Sequence, residues 1–242
     1  MNHVSWILSV AQVLELPRHS STAVALHYWH RVAAFMRRER ESHEGQNEGV
    51  KSALDEKLLA CACLLLACKT CETNRRLRHV LNAAFWIEHS NSANSFLNTD
   101  DEMYWQLKDS LIAAELILVR ILAFDTHVET PHAYIIHLLQ MLSEPLLEHT
   151  PSSDSATFFL ANENYTRLAQ ASWMNANDVY LDPRTCLNGD ARVLAAACIV
   201  LAAQSTHLTH LSRQQICNAA RVDEKDVEDA ICPKSVKKFK LK

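Results

Sequence analysis

The sequence is short of the residues that interrupt helices. Its 242 residues include only three glycines and six prolines, which favours helices joined by polar loops. So few glycines also exclude a dinucleotide-binding loop and the G-x-S-x-G turn of a serine hydrolase. The segment 45–52 places two glycines near Lys51 and Ser52, but its spacing is too short for a phosphate-binding loop and no predicted strand precedes it.

The sequence also lacks long apolar runs, an N-terminal leader and an excess of positive charge. No run reaches the roughly 18 apolar residues that a membrane span requires, and no basic, apolar and small-residue regions follow one another at the N-terminus. We therefore expect a soluble intracellular protein, nuclear or cytoplasmic, whose eight cysteines are reduced. The net charge of -4 gives no electrostatic reason to expect nucleic-acid binding.

What the sequence does contain is a short, continuous apolar run, Leu58–Cys68. Leucine, alanine and cysteine, without a β-branched residue, favour a helix over a strand. At about 1.5 Å per residue this helix would be roughly 16 Å long, too short to cross a membrane. A helix that is apolar on all sides belongs at the centre of a helical domain.

A second run of the same kind, Val193–Ala203, predicts a second buried helix. Two such helices, each flanked by amphipathic segments, predict two helical bundles in tandem. We place the first bundle at 1–128, the second at 129–233 and a basic tail at 234–242.

Several helix boundaries can also be predicted. The apolar stripe of Glu102–Phe124 indicates a long amphipathic helix, and Ser212-x-x-Gln215 has the spacing of a capping box. The segment Asp182–Gly189, with its proline and glycine, is predicted to be a loop.

Two charged residues stand out against their apolar surroundings. Lys69 is the first charge after the central run, so its aliphatic stem can lie on the core while the ammonium reaches solvent. Glu115 interrupts an otherwise apolar stretch, where an unpaired carboxylate would be costly. A cation, backbone amides or an opening to the surface must serve Glu115. From the residues alone, both charges could equally be solvated or paired within the chain.

The stretches LLACACLLLACKTCETNRRLRHVLNAAF and AELILVRILAFDTHVETPHAYIIHLLQML resemble the third to fifth helices of the cyclin box and the entry to a second box. His30-Arg31 is similar to the His-Arg that ends the second helix of transcription-type cyclins. The resemblance is closest to cyclin Q, the partner of cyclin-dependent kinase ten, and is best over residues 54–142. Thr70 and Cys71 depart from the apolar and acidic residues that usually follow the lysine.

The resemblance implies two five-helix cyclin boxes, although the second has little room for a full final helix. It also implies a regulatory subunit that binds and activates a cyclin-dependent serine/threonine kinase, and that is not itself an enzyme and needs no cofactor. The kinase-binding residues it implies are Lys69, Glu72, Glu115 and Phe124.

Other readings of the sequence remain open. A general transcription factor of cyclin-like fold would require a basic face, which the net negative charge disfavours, and a helical scaffold that binds no kinase is a further alternative. Cys68-x-x-Cys71 could indicate a metal or redox site, but no second Cys/His pair stands at zinc-finger spacing, so we expect no metal. The basic tail is either a nuclear-import signal or an ordinary solvated terminus.

Overall fold

The chain divides into two compact units, Met1–Val128 and Glu129–Lys242. The computed structural model describes residues 2–43, 55–89, 96–147, 163–206 and 211–231. Across these ranges the regular structure is helical, without a strand. The all-α prediction is therefore confirmed.

The described part of the first unit contains five α-helices. In chain order they are α1 (His3–Val13), α2 (Ala23–His43), α3 (Glu56–Thr70), α4 (Leu77–Glu88) and α5 (Glu102–Ile121). A π-helical turn, Arg18–Thr22, leads into α2. The other four helices all pack against α3, so α3 is the axis of this bundle.

The sequence explains why α3 lies at the centre. Asp55 begins the helix by accepting a hydrogen bond from the backbone N–H of Lys57 at 2.9 Å. Every residue from Leu59 to Cys68 is buried, as expected for a helix without a polar face. The buried central helix is confirmed. Its predicted start near Val50 falls outside the described residues.

The second unit repeats this arrangement around its own apolar helix. Its described helices are α6 (Pro131–Leu147), α7 (Glu163–Val179), α8 (Pro183–Asn188), α9 (Ala191–Ser205), α10 (Arg213–Ala220) and α11 (Glu224–Ile231). The helices α6, α7, α10 and α11 pack against α9, in which ten residues are buried. The predicted capping box is present at the start of α10, with Ser212 and Gln215 bonded in both directions.

One local prediction was wrong. Residues 183–188 form the short helix α8 rather than a loop. The Asp182 carboxylate accepts hydrogen bonds from the Thr185 N–H at 3.0 Å and hydroxyl at 2.8 Å, and Pro183 fits the first helical position because it needs no N–H partner there. The predicted helix start near Ala156 and the basic tail at 234–242 lie outside the described residues.

Candidate functional site

Lys69 and Glu115 come together at the surface of the first unit. Lys69 lies in the last turn of α3, and Glu115 lies in the middle of α5, which packs against α3. The Lys69 Nζ is 2.5 Å from the Glu115 Oε1. The Lys69 side chain is 54% exposed and that of Glu115 only 15%. The pair therefore exposes the Lys69 ammonium to solvent, while the Glu115 carboxylate is mostly buried.

The helical period of α5 places Glu115 beside the core. Leu111, Ala114 and Leu118 are buried on the inner side of the helix, and Glu115 is one position from Ala114, at the edge of that stripe. Farther around the same flank, Ile112 and Leu116 are exposed. The ion pair is thus bordered by apolar side chains that the unit itself leaves uncovered.

Glu72 follows α3 in a backbone conformation that non-glycine residues seldom adopt. Its φ is 56°, and its N–H donates to the Lys69 carbonyl at 3.3 Å. The left-handed conformation costs about 1–2 kcal/mol for a residue with a Cβ. The Glu72 side chain is exposed and forms no ion pair with another described residue.

Phe124 is the most exposed of the large apolar residues described, at 75%. It follows the end of α5 in a turn where both Ala123 and Phe124 have positive φ, of 52° and 61°. The N–H of Phe124 donates to the Val119 carbonyl at 3.0 Å, which closes the helix end. The turn places the phenyl ring of Phe124 in solvent, outside the core.

A clamp from α2 holds this turn in place. The Arg31 Nη1 donates to the Asp125 carbonyl at 2.9 Å and to its carboxylate at 3.2 Å, and Nη2 donates to the Leu122 carbonyl at 3.2 Å. The buried Tyr28 hydroxyl donates to the Thr126 carbonyl at 2.6 Å. The sequence resemblance draws attention to Arg31 but does not indicate this role, because the acceptors are mainly backbone carbonyls more than 90 residues away.

The cysteines of this unit are packing residues. Cys61, Cys63 and Cys68 are buried and Cys71 is half-buried, and burial raises the pKa of all four thiols. Within the described ranges, no group of three or more His, Cys, Asp or Glu side chains is placed to hold a metal ion.

A family model identifies the first unit. Residues 2–127 match the model described as "Cyclin, N-terminal domain", which is more than half of the chain. The chain belongs to the cyclin family. Lys69 and Glu115 therefore lie on the third and fifth helices of a cyclin box, and the predicted family is confirmed.

Curated relatives are cyclins of the L type. The chain is 29% identical to cyclin-L1 of Xenopus laevis over 177 residues, covering 73% of this chain and 32% of that protein. It is 28% identical to cyclin-L2 of Mus musculus over 151 residues, covering 62% of this chain and 26% of the relative. This cyclin therefore spans about a third or less of these two relatives. The narrower cyclin Q assignment stays a prediction.

The fold is also found among solved structures. A chain in the crystal structure of the yeast RNA Pol II CTD kinase CTDK-1 complex matches with a TM-score of 0.65 and 18% identity, covering 95% of this cyclin and 61% of that chain. In the part of the cyclin that the structure describes, no helix is both long and apolar enough to cross a membrane.

Proposed function

We propose that this cyclin is a regulatory subunit that binds and activates a cyclin-dependent serine/threonine kinase, of the cyclin-dependent kinase ten type. The observation that carries the proposal is the ion pair of Lys69 and Glu115, 2.5 Å apart at the surface of the box. The proposed interface includes Glu72 and Phe124. In this function the cyclin performs no bond chemistry and needs no cofactor.

The surroundings of the pair support a protein partner rather than a small substrate. Ile112 and Leu116 are exposed, and apolar side chains of this kind exclude water from a charged pair once a partner covers them. Lys69 can then donate to partner carbonyls, and the Glu115 carboxylate can accept from a partner N–H without leaving Lys69. Such a mixed surface gives both affinity and orientation.

Activation follows from binding one conformation of the kinase better than another. An active kinase requires a glutamate on its mobile helix to pair with the lysine that positions ATP. If the cyclin surface is complementary to that helix only in its active position, binding shifts the kinase population toward the active state. The cyclin therefore contributes binding energy, and the kinase supplies the catalytic residues.

We further propose a role in transcription rather than in cell division. The structural neighbour belongs to an RNA Pol II CTD kinase complex, and a related function for this cyclin would place it in the nucleus. A kinase assay with a polymerase tail peptide and a histone peptide as competing substrates tests this point, and a preference for the histone peptide would contradict it.

The kinase-binding role is tested by truncating each charge of the pair. Lys69→Ala and Glu115→Ala should each weaken association with the kinase subunit by roughly 2–5 kcal/mol, because each leaves the other charge buried and unpaired in the complex. Melting temperatures should change little, because Lys69 is 54% exposed and solvent screening limits what the pair contributes to folding to about 0–1 kcal/mol. Titration calorimetry and thermal denaturation measure the two effects.

The first unit offers a matched control in a second surface ion pair. Lys57 on α3 is paired with Glu88 on α4, and both are partly exposed. Lys57→Ala should leave kinase association at the wild-type level. Association of the Lys69→Ala variant at that same level would contradict the assignment.

A charge exchange separates a kinase contact from an internal one. The double variant Lys69→Glu with Glu115→Lys can rebuild the pair inside the cyclin but presents both charges in the wrong places to a partner. We expect it to fold normally and to remain defective in kinase binding. Full recovery of binding would mean that the pair serves only the cyclin fold.

A further inference from the structure

The first unit contains a groove that the proposed kinase surface does not use. It has a volume of about 720 Å³ and lies between the end of α1, the connection from α3 to α4, and α4 itself. None of the four predicted kinase-binding residues lines it. Its volume falls in the range of sites that hold a drug-sized ligand or a few side chains.

Part of the groove lining is apolar and exposed to solvent. Val13, Trp86 and Phe96 line it, and Trp86 and Phe96 are 38% and 67% exposed. The Asn82 amide oxygen accepts from the Leu97 N–H at 3.3 Å, which holds the segment carrying Phe96 beside α4. Two large aromatic residues exposed in one concave surface are typical of an interaction site.

One side of the groove lining is basic, and we call it the rim; its positive charge comes from two arginines. Arg75, Arg76 and His79 line it, against a single acidic residue, Glu15. The Arg75 Nε donates to the Leu14 carbonyl at 3.0 Å, which fixes the guanidinium without neutralising it. None of the three basic residues forms an ion pair with another described residue. This positive rim stands on a chain whose net charge is -4.

Basic and aromatic residues of the groove lie along one face of α4 and its N-cap. Arg76, His79, Ala83 and Trp86 all line the groove, and their spacing of three, four and three residues places them along one face of the helix. An extended segment lying along this face would meet basic side chains first and then an aromatic ring. Charge complementarity therefore requires acidic residues next to a large apolar residue in the ligand.

We propose that this groove binds a short acidic segment of a partner protein. An apolar side chain of the segment packs on Trp86 and Phe96, and its neighbouring carboxylates pair with Arg76 and accept a hydrogen bond from His79. The docked segment would recruit its protein to the cyclin without involving Lys69 or Glu115. The proposal does not depend on the identity of the kinase.

The experiment selects ligands from a library of random short peptides, displayed on phage, against the full chain. We expect enrichment of peptides that combine several Asp or Glu residues with Phe, Leu or Trp. Synthetic copies of these peptides, followed by fluorescence polarisation, should bind less tightly as salt rises, because screening weakens the pairing with the rim.

Variants locate the binding on the groove. Trp86→Ala should weaken the selected peptides about 30-fold, the loss typical of removing an aromatic anchor, and Arg76→Glu should weaken them at least about tenfold. Arg78→Glu is the charge control, since Arg78 is exposed on α4 and does not line the groove. Trp105→Ala on α5 is the aromatic control, and both controls should bind as wild type.

Several results would overturn the proposal. Failure to enrich peptides, selection without an acidic bias, or wild-type binding by the Trp86→Ala variant would each do so. A dimer of the chain that Trp86→Ala dissociates would show a second copy in the groove instead, and single-stranded RNA binding that needs Arg76 but not Trp86 would show a nucleic-acid site. Lys69→Ala separates the two proposals: it should retain peptide binding while losing the kinase.

Discussion

Replacing Arg31 by alanine is expected to weaken kinase association through Phe124, which Arg31 does not need to touch. Arg31 holds the turn after α5 by donating to the Asp125 carbonyl, the Asp125 carboxylate and the Leu122 carbonyl. Without these bonds the turn can rearrange, and the exposed phenyl ring of Phe124 loses its fixed position. The Arg31 effect should therefore appear only while Phe124 is present.

The contacts of Arg31 indicate how much the side chain stabilises the turn. Each hydrogen bond from a charged donor contributes about 1.5–3 kcal/mol, but the Asp125 carboxylate is 65% exposed and its share is small. The two carbonyl bonds then stabilise the turn by roughly 3 kcal/mol. The positive φ values of Ala123 and Phe124 cost about 1–2 kcal/mol each. The stabilisation by the two carbonyl bonds is thus similar to the summed cost of the two positive φ values. Removing the Arg31 side chain should therefore let the turn relax to another conformation.

The assay is a double-mutant cycle measured by titration calorimetry with the kinase subunit. Phe124→Ala should cost about 2 kcal/mol, as for an apolar anchor, and Arg31→Ala should cost at most the same. The double variant should bind no worse than Phe124→Ala alone, since both changes remove one interaction. Arg40→Ala is the control, because Arg40 is also on α2 but pairs with Glu56.

A second measurement needs no kinase. The N–H of Phe124 donates to the Val119 carbonyl at 3.0 Å, so its hydrogen exchange reports whether the turn is intact. Exchange should accelerate in Arg31→Ala and not in Arg40→Ala. Additive binding penalties, or unchanged exchange at Phe124, would refute the clamp.

Three further predictions concern the same unit. Glu72→Gly should raise the free energy of unfolding by about 1 kcal/mol, because glycine adopts a φ of 56° without strain. The same change should lower the affinity for the kinase, and a lower melting temperature would contradict the stability prediction. Burial, helped by the charge of Arg31, lowers the pKa of His27 from 6.5 to about 4. Between pH 6.5 and 4 the unfolded chain therefore binds a proton at His27 that the folded chain does not bind. Stability should fall by up to about 3 kcal/mol as pH drops from 6.5 to 4, and urea titrations of His27→Gln at pH 7 and 5 should show a smaller loss. Burial raises the pKa of Cys61 to about 12, so iodoacetamide at pH 8 should label it only after unfolding, and equal labelling of folded and unfolded chains would argue against a buried thiol.

The sequence and the structure agree best where one helix carries its own signal. The apolar runs that became α3 and α9 have no polar face, so no arrangement other than burial was available to them. Lys69 was predictable because it is the first charge after such a run, and Glu115 because a carboxylate in an apolar stretch requires a partner. The structure brings the two together, although their role toward a kinase remains a prediction.

Two features were missed, one because local signals conflict and one because its contacts are distant in the chain. The helix α8 was missed because Pro183 and Gly189 indicate a turn, whereas the Asp182 cap makes the first of them a helix start. The clamp of Arg31 was missed because it depends on carbonyls that any residue could supply.

The amino-acid sequence by itself determined the main helices and which of them are buried, because periodicity, capping residues and apolar runs act within a few residues. Its motifs indicated the cyclin family by their resemblance. Only the tertiary structure decided that the Lys69 ammonium meets the Glu115 carboxylate, that the turn at Phe124 is held from α2, and that Trp86 and Phe96 share a groove with a basic rim. These contacts join groups in different helices and connections, and they exist only once packing around α3 has fixed the helices against one another.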